Sequence, residues 1–548
     1  MKNLICAVFA SFIMAGFANG QVVERPRPAR WDSLVLGGRF IDRFLPMVRG
    51  HSGEGVWGAK GVQDRYVDNG IEDSLRSYWG GNIRYDRATD LYNLYVCGWD
   101  EKSVKGHHQW PYSIVYRAVS KQMQGPYLIK DTIGSGHNPE LFRAKNGTYV
   151  LYVIDKRYTA PSPQGPWKQD TFHFDSRGRK IIEGLSNLTF AQRSDGSYLM
   201  VCRGGGVWFS RDGLSTYHQV TDKRVYPAVA GEFEDPVVWR DHVQYHLIVN
   251  DWLGRIAFYL RSKDGVHWVT DPGEAYTNQI AQHTDGTKEE WFKFERMKVF
   301  QDSYGRAIQA NFAVIDVLKD EDKGGDNHSS KNIAIPLNPG LLITLLNKDM
   351  PTPEMKTIQV KIHAEPGFDP LEEIDLATLR FGASDQVNFG GGSKALRATA
   401  SGRDLLVTFD GVEHGITEAE FAPKLIGKTK KGKLLYGYMR APWQSYRSSI
   451  LSARKPVFLK DKGVFTVQIE NFGEIISEEA EVSLYHLHKG RKERVAGGRL
   501  QPLAPFTSTA LTLTRDAVSS ALPLGTYTIV IEANNDAKLD FDFQFDGM

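Results

Sequence analysis

One five-residue pattern recurs five times in the first two-thirds of the chain, and its spacing constrains the fold more than any other feature. The copies read Gly81-Asn82-Ile83-Arg84-Tyr85, His137-Asn138-Pro139-Glu140-Leu141, Ser186-Asn187-Leu188-Thr189-Phe190, Glu234-Asp235-Pro236-Val237-Val238 and Glu295-Arg296-Met297-Lys298-Val299. With the second position as register, the steps are 56, 49, 48 and 61 residues. Periods of this length that each hold several short strands point to propeller blades rather than helical repeats. In a propeller the first strand of each blade lines the central axis. Asn82, Asn138, Asn187, Asp235 and Arg296 therefore converge on one funnel, and a polar ring there is expected to be a site rather than a core.

The remaining pattern supports an all-β chain. Blade two reads as a strand over 137–143, an Asn146-Gly147 turn and a return strand over 148–154. Blade three repeats it around Asp195-Gly196, blade four has strands near 236–240, 244–250 and 256–262, and blade five spans 294–337. Tyr127, Trp167, Tyr217 and Trp268 close successive blades and are expected to pack between them. The charged loop 319–326 reads as solvated. Residues 21–70 form a lead-in, 71–345 the five-bladed β-propeller, and 354–450 and 455–548 two β-sandwich modules of immunoglobulin-like type, alternating in period two without the blade motif. The modules show no cluster of catalytic residue types and read as spacers or stabilisers.

Composition narrows the partners. A formal net charge of +2 over 548 residues gives no reason to expect nucleic acid or an anionic membrane surface. Residues 1–20 carry an early lysine, an apolar run over 4–17 and Ala18-Asn19-Gly20, the form of a cleavable signal peptide, so the protein is expected in the periplasm or outside the cell. That run is too short to span a bilayer, and no membrane insertion is expected. Cys6 would be removed with the signal. Cys97 and Cys202 each fall 15 residues after a register position, which puts them in equivalent places of non-neighbouring blades, beyond disulfide reach. No oligomeric state is assigned.

With the axial motifs in hand, the span of roughly 70–340 resembles the five-bladed β-propeller glycoside hydrolases of families 43, 32 and 117. The phrases Gly136-His137-Asn138-Pro139, Gln164-Gly165-Pro166-Trp167, Glu234-Asp235-Pro236 and Phe294-Glu295-Arg296 look like those of family-43-like secreted bacterial proteins. The resemblance implies an oligosaccharide or polysaccharide substrate and hydrolysis of a glycosidic bond. It also implies axial acids in blades one, two and three, serving as base, pKa modulator and acid. Here those positions read Asn82, Asn138 and Asn187, and an amide neither accepts nor donates a proton at neutral pH, so that triad does not carry over.

The chemistry must therefore come from other groups. Glycosidic hydrolysis ordinarily uses two proton-handling groups, ~5–5.5 Å apart for retention and ~6.5–9.5 Å for inversion. Asp235 is the one carboxylate in the axial column and the leading catalytic candidate, with a structural ion pair to Arg296 as its alternative. Glu234 and Glu295 stand one step before the register. Because alternate strand residues face opposite ways, Glu234 and Asp235 are not both expected to face the funnel unless the strand start is irregular. Glu183, in the loop before blade three, and Asp73, before blade one, complete the acids. His137 is a candidate proton donor, as the resemblance to family 117 implies, or a sugar ligand. Asn82, Asn138 and Asn187 are candidate sugar contacts, and Arg296 and Arg203 candidate binders of a uronate or sulfate. Trp79 would stack on a sugar or pack in the core. His107-His108, in the insertion 98–111, would overhang the site as a lid. No cofactor is expected and no zinc spacing is present, although a structural calcium ion would suit a propeller axis.

The reading is a secreted, exo-acting glycoside hydrolase on plant or algal, possibly acidic, polysaccharide fragments. Widely spaced blades favour inversion. A non-catalytic carbohydrate-binding propeller is the alternative that the three axial amides suggest, and a polysaccharide lyase is a weaker third.

Overall fold

The computed structural model describes residues 22–51, 67–326, 328–352, 354–516 and 522–546. Residues 1–20, which read as a signal peptide and include Cys6, and part of the lead-in lie outside the described residues. Among the described residues no helix is long and apolar enough to cross a membrane.

Five sheets form the propeller, antiparallel except for one parallel outer strand in blade three. Blade one is Arg76–Asp86, Leu91–Asp100, Ile114–Ser120 and Leu128–Ser135, and blade two is Glu140–Arg143, Tyr149–Val153, Lys156–Ala160 and Lys168–Asp170. Blade three is Thr189–Gln192, Tyr198–Val201, Val207–Ser210 and Tyr217–Gln219, with Phe174–Asp175 added at its outer edge. Blade four is Phe233–Arg240, Tyr245–Asp251, Ile256–Ser262 and Val269–Thr270. Blade five has three strands, Lys293–Gln301, Ala307–Ile315 and Ser330–Pro336. A middle strand such as Tyr198–Val201 is buried along its whole length, because neighbouring blades cover both faces of its sheet. The inner strands of blades one and five pack together and close the ring. A clasp from the lead-in reinforces the closure. Ile71 bridges to Asn332, and the Asn69 side chain pairs in both directions with the Ala334 backbone.

Two sandwich modules follow, as the alternating pattern implied. The first buries Ile358, Val360, Leu379, Phe381, Val407 and Phe409. Its edge strand Ile343–Leu345 pairs with Thr357–Ile362, so the propeller ends before residue 343, ahead of the boundary expected from sequence. The second buries Phe465, Val467, Val482, Leu484, Leu513 and Tyr527. Both are tied to the propeller by buried cations. Arg43 lies 4.5–5.6 Å from the rings of Phe40, Tyr259, Tyr436 and Tyr438, which joins the lead-in, blade four and the first module. Arg193 of blade three donates to the Phe472 carbonyl of the second module at 2.7 Å.

Candidate active site

Each inner strand opens on the same irregularity. Two residues of the first strand oppose one residue of the second at Gly80-Gly81, Asn138-Pro139, Asn187-Leu188, Asp235-Pro236 and Arg296-Met297. The leading residue of each pair is left-handed, with φ of 61, 56, 50, 55 and 54°. A bulge of this kind turns two consecutive side chains to the same side, which a regular strand cannot do. Glu234 and Asp235 therefore both face the funnel, as do Glu295 and Arg296. The strand start is irregular, and the alternation argument fails for that reason.

The bulge also corrects the register of blade one. Its equivalent of Asn138, Asn187, Asp235 and Arg296 is Gly80, not Asn82. Asn82 belongs one tier deeper, level with Glu140, Thr189, Val237 and Lys298. The cysteines shift as well. Cys97 pairs opposite Trp79, whereas Cys202 stands opposite the blade-three bulge, so their places differ. Both are buried free thiols.

Three tiers thus line the axis. The outer tier is Trp79, His137, Ser186, Glu234 and Glu295, all on a cavity of about 680 Å³. The middle tier is a hydrogen-bonded chain. Asn138 Nδ2 donates to Asn187 Oδ1 at 3.0 Å, Asn187 Nδ2 donates to Asp235 Oδ1 at 2.9 Å, and Arg296 Nη1 donates to the same oxygen at 2.8 Å. The Arg296 amide meets Asp235 Oδ2 at 3.1 Å. Asp235 and Arg296 are each only 2% exposed at the side chain, so Asp235 is held in a buried ion pair and is not a free proton-transfer group. Arg296 gives Nη1 to that pair, while its Nε and Nη2 have no partner among the described residues and the side chain lines the cavity. Gly80 breaks the chain. A Cβ built there would stand 3.6–3.8 Å from Asn138 and Arg296, in ordinary contact, and Asn138 Oδ1 close by has no partner. The inner tier seals the funnel. Lys298 pairs with Glu140, whose other oxygen accepts from the Phe190 amide at 3.0 Å, and Asn82 is engaged in both directions by the Leu141 backbone. Asn82 is therefore a structural amide, not a sugar contact. With Arg296 and Lys298 bonded to the axial carboxylates, the axis carries its own cations, and the residues present do not fit a calcium ion. Among the described residues no cluster of metal-binding type exists.

Glu234 is the carboxylate with the unusual environment. Its Oε1 accepts from Asn187 Nδ2 at 3.0 Å and lies 3.6 Å from Arg203 Nη2. Burial, then the charges of Asp235 and Glu295, push its pKa up to about 7, against the pull of Arg203. Glu295 is paired with Lys319 at 2.6 Å and lies 3.7 Å from Lys293. Trp79 is buried, edge-on to His107 at 4.7 Å, with Lys319 5.0 Å from its ring. The wall is completed by the 3-10 helix Gly106–Tyr112, which contributes His107, His108, Trp110 and Pro111. The insertion overhangs the cavity as its position in the sequence suggested. Its Gly106 packs against the Asp322 backbone, where no Cβ would fit. The loop 319–326 is thus an anchor for that wall, with Lys319 inside the cavity, and is not merely solvated.

Two acids are not brought to the site. Glu183 pairs with Arg224 at 2.5 Å outside the cavity lining. Asp73 accepts from the Leu75 and Arg76 amides and the Tyr78 hydroxyl, capping the turn before blade one. Lys319, Trp110, Asp155 and Lys156 line the cavity without having been singled out. Lys319 and Asp155 sit between strands, Trp110 in the short 3-10 helix and Lys156 at the first residue of its strand, where no periodic signal operates.

No family model matches the chain, and no curated protein matches it. Similar solved structures include an α-L-arabinofuranosidase from Lactobacillus brevis, at 10% identity and TM-score 0.34 over 48% of this chain and 91% of that one. A GH43 protein from Bacillus licheniformis, in a mutant form, matches at 9% identity and TM-score 0.33 over 85% and 89%. A periplasmic gluconolactonase from Pseudomonas aeruginosa matches at 11% and 0.23 over 78% and 99%. Likeness at this level carries no argument about chemistry. The propeller is established by its own blades, and the function must be argued from the cavity.

Proposed function

We propose that the axial cavity is the active site of a glycoside hydrolase in which Glu234 is the proton donor to the leaving oxygen. The observation that carries this reading is a carboxyl set in the wall of an open cavity, bonded to Asn187 and 3.6 Å from Arg203, on a wall it shares with Trp79, Trp110 and His137, where burial and the charges of Asp235 and Glu295 raise its pKa. A carboxylic acid still protonated at neutral pH is what departure of an alkoxide requires. Asp235 serves as a positioning residue. Through Asn187 it fixes the amide that holds Glu234, and its charge helps keep Glu234 protonated.

The sealed inner tier supports exo action, since a sugar chain can enter only from the outer end. Arg203, about a third exposed beside Glu234, and Lys156 on the same wall support a preference for acidic fragments. Secretion rests on the N-terminal sequence, and plant or algal material is the source such a secreted enzyme would meet. Inversion is favoured because His137, a group available as base, belongs to blade two and Glu234 to blade four, with blade three between them.

The test is digestion of an oligosaccharide array with mass readout, run with the parent and Glu234→Gln. Release of single sugars by the parent, lost in the variant, is the expected result. Binding of oligosaccharides without turnover by either protein would instead make this a carbohydrate-binding propeller, the reading the axial amides favour.

A further inference from the structure

His137 is held by groups whose own protons are already committed. Ser113 Oγ donates its single proton to the Trp110 carbonyl at 2.5 Å, and Cys97 Sγ donates its single proton to the Trp79 carbonyl at 3.0 Å. A carbonyl oxygen only accepts, so the direction of both bonds is fixed. Both atoms also contact His137 Nδ1, Ser113 Oγ at 3.1 Å and Cys97 Sγ at 3.4 Å. Neither has a proton left to give, so Nδ1 must be the donor and carries the hydrogen. Nε2 is then the nitrogen without a partner among the described residues, on a ring that lines the cavity and packs against Trp110 at 4.8 Å.

From this geometry we infer that His137, locked as the Nδ1–H tautomer, presents a bare Nε2 lone pair to the cavity and is the general base of the reaction. The resemblance to family 117 implied the opposite role, proton donor, which this tautomer cannot fill. The inference rests on the reading of the cavity as a hydrolase site. His137 and Glu234 belong to blades two and four, with Ser186 of blade three between them, so acid and base stand on different sides of a bound sugar. Nε2 takes a proton from water as the water oxygen bonds to the anomeric carbon. The glycosidic C–O bond breaks, its electron pair goes to the leaving oxygen, and Glu234 protonates that oxygen. The imidazolium proton returns to Glu234 through solvent, and one water has been consumed. The charged groups facing His137 are Arg296 and Lys319 of blade five, with His107 of the overhanging helix nearby. No carboxylate is among them, and with burial they hold the ring neutral. Ser113 and Cys97 are positioning residues in the sense that they set which nitrogen is bare.

The tautomer is read directly by ¹⁵N NMR of the full chain labelled at histidine, with His137→Gln used for assignment. A protonated Nδ1 and an unprotonated Nε2 at pH 7, persisting below the ordinary histidine pKa, is the expected result. A protonated Nε2 at pH 7 overturns the inference. On the array substrate, His137→Ala should lose on the order of 10²–10⁴-fold in kcat, partly restored by added imidazole, and Ser113→Ala should lower kcat with little change in KM. Loss without imidazole rescue, while circular dichroism shows the fold intact, would overturn the base role. A parent that turns over no glycoside removes the reaction and the base with it. The NMR result decides the tautomer independently of that outcome.

Discussion

Replacing Arg203 by Gln removes the cation that lies against Glu234 Oε1, and the structure sets how far the carboxyl should move. The guanidinium lies 3.6 Å from Glu234 Oε1. Coulomb's law gives about 1 kcal/mol at that distance in water and about 5 kcal/mol at an effective dielectric of 20. The Arg203 side chain is 37% exposed and that of Glu234 21%, so solvent screening holds the interaction toward the lower end, roughly 1–2 kcal/mol. That corresponds to about one pKa unit. Glu234 should therefore titrate near 8 in Arg203→Gln rather than near 7. Glu295→Gln removes a negative charge from the other side and should move it down. The assay is ¹³C NMR of the carboxyl in glutamate-labelled protein, assigned with Glu234→Gln, and it needs no substrate. Where turnover is measured, the high-pH limb of kcat/KM should move with the resonance, because an acid catalyst is lost as pH rises through its pKa. A carboxyl that titrates in the ordinary range near 4.5 in the parent, or that does not respond to Arg203→Gln, would refute the electrostatic reasoning and with it the assignment of the acid.

Other consequences follow from the same tiers. Because the Glu234 pKa is raised on folding, its favourable contribution is full below the unfolded value of 4.5 and is lost as pH rises through 7. Glu234→Gln should accordingly gain stability relative to the parent by up to about 3 kcal/mol at pH 8 and nothing at pH 4, read from urea midpoints of the propeller transition. Asp235→Asn leaves Arg296 buried without its counter-charge and should cost about 3–5 kcal/mol in the same measurement, while a double variant with Arg296→Gln should recover part of the loss. Gly80→Asn should fold, since four other blades hold non-glycine residues at the same left-handed φ. It would fill the gap beside Asn138 Oδ1, and a rise in KM with an unchanged urea midpoint is the expected outcome.

Much of the architecture was legible because a repeat writes one supersecondary unit several times. Asn146-Gly147 and Asp195-Gly196 marked hairpins that the blades contain, and the alternation after residue 356 marked sandwich strands. Register was legible only up to the bulge. The motif Gly81-Asn82 imitates His137-Asn138, but the left-handed residue of blade one is Gly80, and a shift of two residues moves a side chain from one tier to the next. Asp235 was conspicuous as the only carboxylate in the column, yet a neighbouring blade supplies the Arg296 that neutralises it.

The sequence by itself determined a closed ring of β-blades with two sandwiches behind it, because strand period, turn residues and repeat length are local properties of the chain. Which carboxylate keeps its proton, which amide is structural and which nitrogen of His137 is bare were decided by tertiary structure alone. Those properties depend on desolvation and on charges and donors most of which arrive from other strands and blades, 24 or more residues away in sequence. Their distance from Glu234 or His137 exists only once the ring has closed.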